Sequence, residues 1–152
     1  MKVLKILFLR LLSSYNLIIF LFLVLSFIGF IDSVYLTVNH YFKTIPPCSV
    51  SDCGVVLTSK YSTIFNIPVS LFGAIYYILL FILAVLSFEI RKEIIRFVIV
   101  LTPLGFLISL YFVYVQIFIL REICFYCLIS AFISTILFIF SFSIIRILET
   151  KN

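Results

Sequence analysis

The sequence predicts an all-α integral membrane protein: a four-transmembrane-helix bundle with a long outer loop that contains a short surface helix. Three observations predict it. The 152 residues are 65% hydrophobic and only 11% charged, whereas soluble domains carry about a quarter charged residues. The apolar residues fall into four long runs. The cationic residues cluster at the ends of those runs. The length suits one membrane domain, residues 1–152. The net charge of +5 does not indicate nucleic acid, because the basic residues form no patch with polar neighbours.

The four runs are residues 16–35, 69–88, 95–120 and 123–145. Each reaches the ~20 residues that cross a ~30 Å hydrocarbon core. Lys2, Lys5 and Arg10 precede the first run, as in a signal peptide. Its apolar core is longer than the ~7–15 residues of such a peptide, and no small-x-small site follows, so it reads as a span. The long connection, residues 40–68, is richer in Ser, Thr, Pro and Asn than the rest of the chain. Pro46-Pro47 stiffens the approach to Cys48. Val55, Val56, Ser59 and Lys60 recur at helix-like spacing and predict a short surface helix from Val55 to Tyr61. Pro68 suits the first turn of span two. The remaining links are tight, with Arg121-Glu122 as the only polar sequence between spans three and four.

Eight of the cations, Lys2, Lys5, Arg10, Arg91, Lys92, Arg96, Arg146 and Lys151, fall on one side of the spans. Three, Lys43, Lys60 and Arg121, fall on the other. The bias places both termini in the cytoplasm of a multi-pass cell (inner) membrane protein. Cys48, Cys53, Cys124 and Cys127 then share the extracytoplasmic side, where disulfides can form.

The two pairs differ in setting. Cys124-Phe125-Tyr126-Cys127 opens span four. A helix N-terminus stabilises a thiolate through its free N–H groups. These sulfurs stand at the bilayer edge, within reach of a lipid-dissolved molecule. Cys48 and Cys53 lie on a polar loop, within reach of a water-soluble protein. Thiol–disulfide exchange between the pairs would pass electrons from water to lipid. Two static disulfides stapling a non-enzymatic membrane subunit are the alternative. A four-cysteine zinc site fits poorly with one pair embedded in apolar sequence, and no metal is expected. His40 reads as packing or capping. Asp32, an acid near the outer end of span one, is a functional candidate by type.

The residues resemble the vitamin K epoxide reductase family, specifically its bacterial and archaeal members. The resemblance covers most of the chain. It rests on Gly29-Phe-Ile-Asp-Ser-Val-Tyr-Leu-Thr37 in the first span and on the loop pair, with Cys53-Gly-Val-Val-Leu-Thr-Ser59 placing a Ser six residues on. Pro68, Gly73 and Tyr76 or Tyr77 at the start of the second span, and Cys124-Phe-Tyr-Cys127, complete it. The resemblance implies a bundle around a quinone of the ubiquinone or menaquinone type. Cys127 would touch the quinone ring, and Cys124 would exchange with the loop through Cys53. Cys48 would be the other relay thiol, and Ser59 would hydrogen-bond near the quinone or the reactive sulfur. The expected activity is a quinone-dependent thiol oxidoreductase that reoxidises a separate extracytoplasmic thioredoxin-fold partner and so drives disulfide formation.

The chain departs from the family pattern in places. The loop pair has four intervening residues, fewer than in many relatives. Val69 and Ala131 stand where the vertebrate enzymes carry Asn and Tyr, which argues against epoxide reduction. The quinone reductase of Gram-negative disulfide formation is also a four-span protein with two cysteine pairs. It carries its C-x-x-C in the first outer loop, the reverse of the order here.

Overall fold

The computed structural model describes the backbone of residues 2–48, 53–89 and 92–149 and the side chains of 17–48, 53–86 and 96–146. Lys2, Lys5, Arg10, Arg91, Lys92 and Lys151, used above for orientation, lie outside the described side chains. Loop residues 49–52 lie outside the described backbone. The chain runs α1 (Lys2–Phe42), α2 (Cys53–Thr58), β1 (Thr63–Ile64), β2 (Ile67–Pro68), α3 (Val69–Glu89), α4 (Lys92–Tyr114), a π-helical segment (Val115–Leu120) and α5 (Phe125–Glu149). Four of these helices are long and apolar enough to cross a membrane, over Leu17–Phe42, Val69–Leu86, Arg96–Leu120 and Phe125–Arg146. In lipid a helix satisfies its own backbone polar groups, and so the apolar runs become helices. The chain is a multi-pass membrane protein.

The first helix outlasts its apolar run, so the outer connection begins at Lys43 rather than at His40. Its end has a local cause. Lys43 takes a left-handed conformation (φ 53°). Lys43 N–H then donates to His40 C=O at 3.3 Å and Thr44 N–H to Asn39 C=O at 3.0 Å. This reversed pairing at a helix C-terminus is usually built on Gly. The Pro46-Pro47 pair beyond it cannot resume a helix.

The surface helix is present but shifted. It spans Cys53–Thr58, with Cys53, Gly54 and Val56 buried. Ser59 stands just past its end, where its hydroxyl donates to Val56 C=O at 2.8 Å. Next comes a two-stranded antiparallel hairpin that the sequence reading did not anticipate, pairing Thr63 with Pro68 and Ile64 with Ile67. Its turn residues, Phe65 and Asn66, both have positive φ (51° and 64°), as the tightest hairpin turns require. Pro68 therefore closes β2 and does not enter α3. The fourth transmembrane helix starts at Phe125, two residues after the apolar run begins at Ile123.

The four long helices pack as a ring: α1 on α3, α3 on α4, α4 on α5, and α5 on α1. The centre holds Phe22, Tyr77, Leu80, Ala84, Val98, Ile133 and Leu137. Ile19 and Ile144 form a smaller cluster at one end. In lipid, apolar burial drives helix association weakly, and close packing and interhelical hydrogen bonds contribute instead. Thr102 donates to Ser141 at 2.8 Å, joining α4 to α5. Thr37 donates to Ser70 at 2.9 Å, joining α1 to α3. Gly29 admits the Tyr77 ring: a Cβ there would stand 2.7 Å from Cε1.

Candidate functional site

All four cysteines lie at one end of the bundle. Cys48 and Cys53 form a disulfide, and Cys124 and Cys127 are free thiols. Cys53 (1% exposed) and Cys124 (0%) are buried in one cluster with Val56. Cys48, Leu57, Leu120, Tyr126 and Cys127 pack against it. The contrast between a wet pair and a lipid-edge pair is therefore too sharp. Cys53 is withdrawn from water because α2 buries its first turn, and Cys48 is only partly buried.

Cys124 sits immediately before α5, where the first N–H groups of the helix have no partner within the helix. Leu128 N–H donates to Cys124 C=O at 3.0 Å, so Cys124 begins the helical ladder. Its thiol is pulled down to about 7, first by the hydrogen bond from the Cys127 thiol. Burial pushes it up, and the backbone N–H groups of Cys127 and Tyr126 pull it further down. The sulfur thus occupies the place of a helix-capping oxygen. Asp32, on α1, is close enough to oppose this charge electrostatically, and its Oδ2 is buried without a hydrogen-bond partner.

The approach to Cys124 depends on a residue that sequence reading missed. Gln116, 3% exposed, lies in the π-helical segment. Its Oε1 accepts the Cys124 backbone N–H at 2.9 Å, and its C=O accepts Glu122 N–H at 3.2 Å. Arg121 turns the chain with a left-handed conformation (φ 55°). Gln116 thereby pins the short link to the end of α4. Its one sequence signal was an amide inside an apolar run, and intramembrane polar residues mark such sites. The loop is held from the other side by Tyr126, whose hydroxyl reaches Pro47 C=O at 3.5 Å and whose ring packs on Tyr35 with centroids 5.3 Å apart.

Beside the cysteine cluster is a cavity of about 230 Å³. Cys127 lines it and Cys124 does not. Ser59, His40 and Gln116 also line it, as do Val69 and Ala131. Phe72, Leu104, Ile108 and Phe112 supply apolar wall, and among the described residues no Asp, Glu, Lys or Arg lines it. Ser59 is thus beside the cavity, but its proton already goes to Val56. Tyr76 lines the cavity with its hydroxyl buried and without a partner. Tyr77, its neighbour, is bonded to Ser130 C=O at 2.8 Å. Among the described residues, no three His, Cys, Asp or Glu side chains are placed to hold a metal.

Residues 20–142 match the family described as the Vitamin K epoxide reductase family. That stretch takes in all four cysteines, the loop and most of the four-helix ring. No curated protein matches the chain.

Proposed function

Since the chain belongs to the vitamin K epoxide reductase family, and is thereby a membrane oxidoreductase acting on thiols and disulfides, we propose that it carries electrons from an extracytoplasmic thioredoxin-fold protein to a quinone. The observation that carries this reading is the continuity of sulfur from the loop to the cavity. Cys53 and Cys124 share one buried cluster, and Cys127 lines the adjacent cavity. The Lys/Arg bias supports placing the cysteine end outside the cytoplasm and both termini inside it.

The steps follow from which sulfurs are near which. A partner thiolate meets Cys48, the less buried loop sulfur, and the loop disulfide is reduced to a dithiol as the partner is oxidised. Cys53 thiolate then attacks Cys124 of a Cys124–Cys127 disulfide. The S53–S124 bond forms, the S124–S127 bond breaks, and Cys127 leaves as a thiolate at the cavity wall. Attack of Cys48 on Cys53 restores the loop disulfide and releases Cys124, whose negative charge the helix start stabilises. The relay thus leaves the loop pair oxidised and the helix pair reduced.

The cavity suits a quinone ring: its walls are largely apolar, no carboxylate among the described residues lines it, and Cys127 lines it. On becoming a disulfide the Cys124–Cys127 dithiol gives up two electrons and two protons, which a quinone held there would accept. Ser59, with its own proton committed to Val56, presents lone pairs to the cavity. It can accept a hydrogen bond from a thiol or a quinol but has no free donor for a quinone carbonyl.

The test mixes the purified protein with a reduced thioredoxin-fold protein and a quinone, and follows quinone absorbance. Cys127→Ala is expected to lower the rate on the order of a thousandfold or more. A parent-like rate in that variant rules the relay out.

A further inference from the structure

The cavity holds one polar group that the relay does not use. Tyr76 lines the cavity, and its hydroxyl is buried with no hydrogen-bond partner. A buried hydroxyl left unpaired costs about 1–3 kcal/mol, so such a group calls for an explanation. The Tyr76 side chain is also given room. Gly105 on α4 faces it, and a Cβ there would overlap the hydroxyl oxygen. The neighbouring Tyr77 ring packs edge-on against it, with centroids 5.1 Å apart, which fixes the ring.

The groups around it are committed elsewhere. Tyr77 gives its proton to Ser130 C=O, Ser59 to Val56 C=O and Ser62 to Ser59 C=O. Ser134 on α5 is near enough to interact with Tyr76 but outside hydrogen-bond geometry, and its own Oγ is also buried without a partner. A helical serine ordinarily bonds back to the carbonyl four residues earlier. Here that carbonyl, Ser130 C=O, is taken by Tyr77. The Ser134 proton is therefore available to the Tyr76 oxygen, and the Tyr76 proton has no acceptor among the described residues. Val69 and Ala131, also on the cavity wall, have no side-chain donor.

We propose that the Tyr76 hydroxyl is the donor that binds a carbonyl oxygen of the quinone, on the α3–α4 wall of the cavity that Cys127 lines. A ring carbonyl is an acceptor without a donor, and the Tyr76 hydroxyl is a donor without an acceptor. The pairing satisfies both in a site that is otherwise largely apolar. This rests on the quinone reading of the cavity and adds the residue that orients the ring.

The experiment measures equilibrium binding to protein carrying Cys127→Ala, so that no turnover occurs. Menadione and methylnaphthalene, which shares its ring system but has no carbonyl, serve as probes. Adding Tyr76→Phe is expected to weaken menadione about tenfold, the scale of one buried neutral hydrogen bond, and to leave methylnaphthalene unchanged. The infrared carbonyl band of bound menadione should move toward its free position in the Phe variant. Equal binding of menadione with and without the hydroxyl overturns the assignment, as does an equal loss for both probes. If menadione fails to bind even with Tyr76 intact, the quinone reading of the cavity falls first and this inference with it.

Discussion

The two ends of the bundle are built on opposite terms. At one end Ile19 packs on Ile144, and Thr102 and Ser141 spend their hydroxyls on each other and on Val98 and Phe138 carbonyls. Toward the other end a cavity opens, two hydroxyls and a carboxylate oxygen are buried without partners, and two thiols are free. The difference teaches where the chain tolerates unsatisfied groups. At the first end the described buried hydroxyls, those of Thr102 and Ser141, have partners. The open end keeps unpaired groups beside its sulfurs, as functional sites often do.

Substitutions can break that division. The largest expected effect is at the packed centre. Leu137 is 0% exposed, and Leu137→Ala should destabilise the protein by about 2–5 kcal/mol through the cavity it leaves. Denaturation in detergent micelles would measure it. A loss well under 1 kcal/mol would mean that the centre is not close-packed. Next comes the cysteine end, where Cys127→Ala removes the first cause of the depressed Cys124 thiol. Its half-titration should rise from about 7 toward the ordinary 9.0, at about 1.4 kcal/mol per pH unit. Because the thiolate forms as pH rises through the pKa, the raised value means less thiolate at neutral pH. Slower alkylation there is the readout, and a profile that stays put would show that Cys127 is not the donor. The smallest effect is Thr102→Val, which deletes one interhelical hydroxyl bond and should cost about 0.6 kcal/mol in the same denaturation assay.

Much of this architecture was legible because lipid makes the code simple. An apolar run of sufficient length must become a helix, so the four spans followed from composition alone. The C-x-x-C was legible as a helix-start pair, because Arg121-Glu122 leaves no room for anything else between the spans. The loop was harder. Its hairpin turns at Phe65-Asn66, and an aromatic residue with positive φ carries none of the Asn-Gly chemistry that announces such turns. The surface helix was read from Val55 because its apolar spacing starts there. Its first turn is Cys53 and Gly54, whose burial depends on what α2 packs against. Val115–Leu120 read as ordinary span, since a π-helical segment leaves no mark on hydropathy, yet such segments recur at functional sites. Tyr76 and Tyr77 were indistinguishable as letters, and only their partners separate them.

The hairpin has a kinetic consequence for the proposed relay. Ser62 C=O accepts Val69 N–H at 2.9 Å, so the strand pair is clamped to the start of α3 and the tether behind α2 is short. Cys53 is therefore presented to Cys124 at a high effective concentration, of the kind short linkers provide. An intramolecular encounter on those terms outcompetes stray thiols in the surrounding medium. In the proposed relay, a few residues of sheet, the least conspicuous element of a helical protein, would thus favour Cys53 as the sulfur that Cys124 meets.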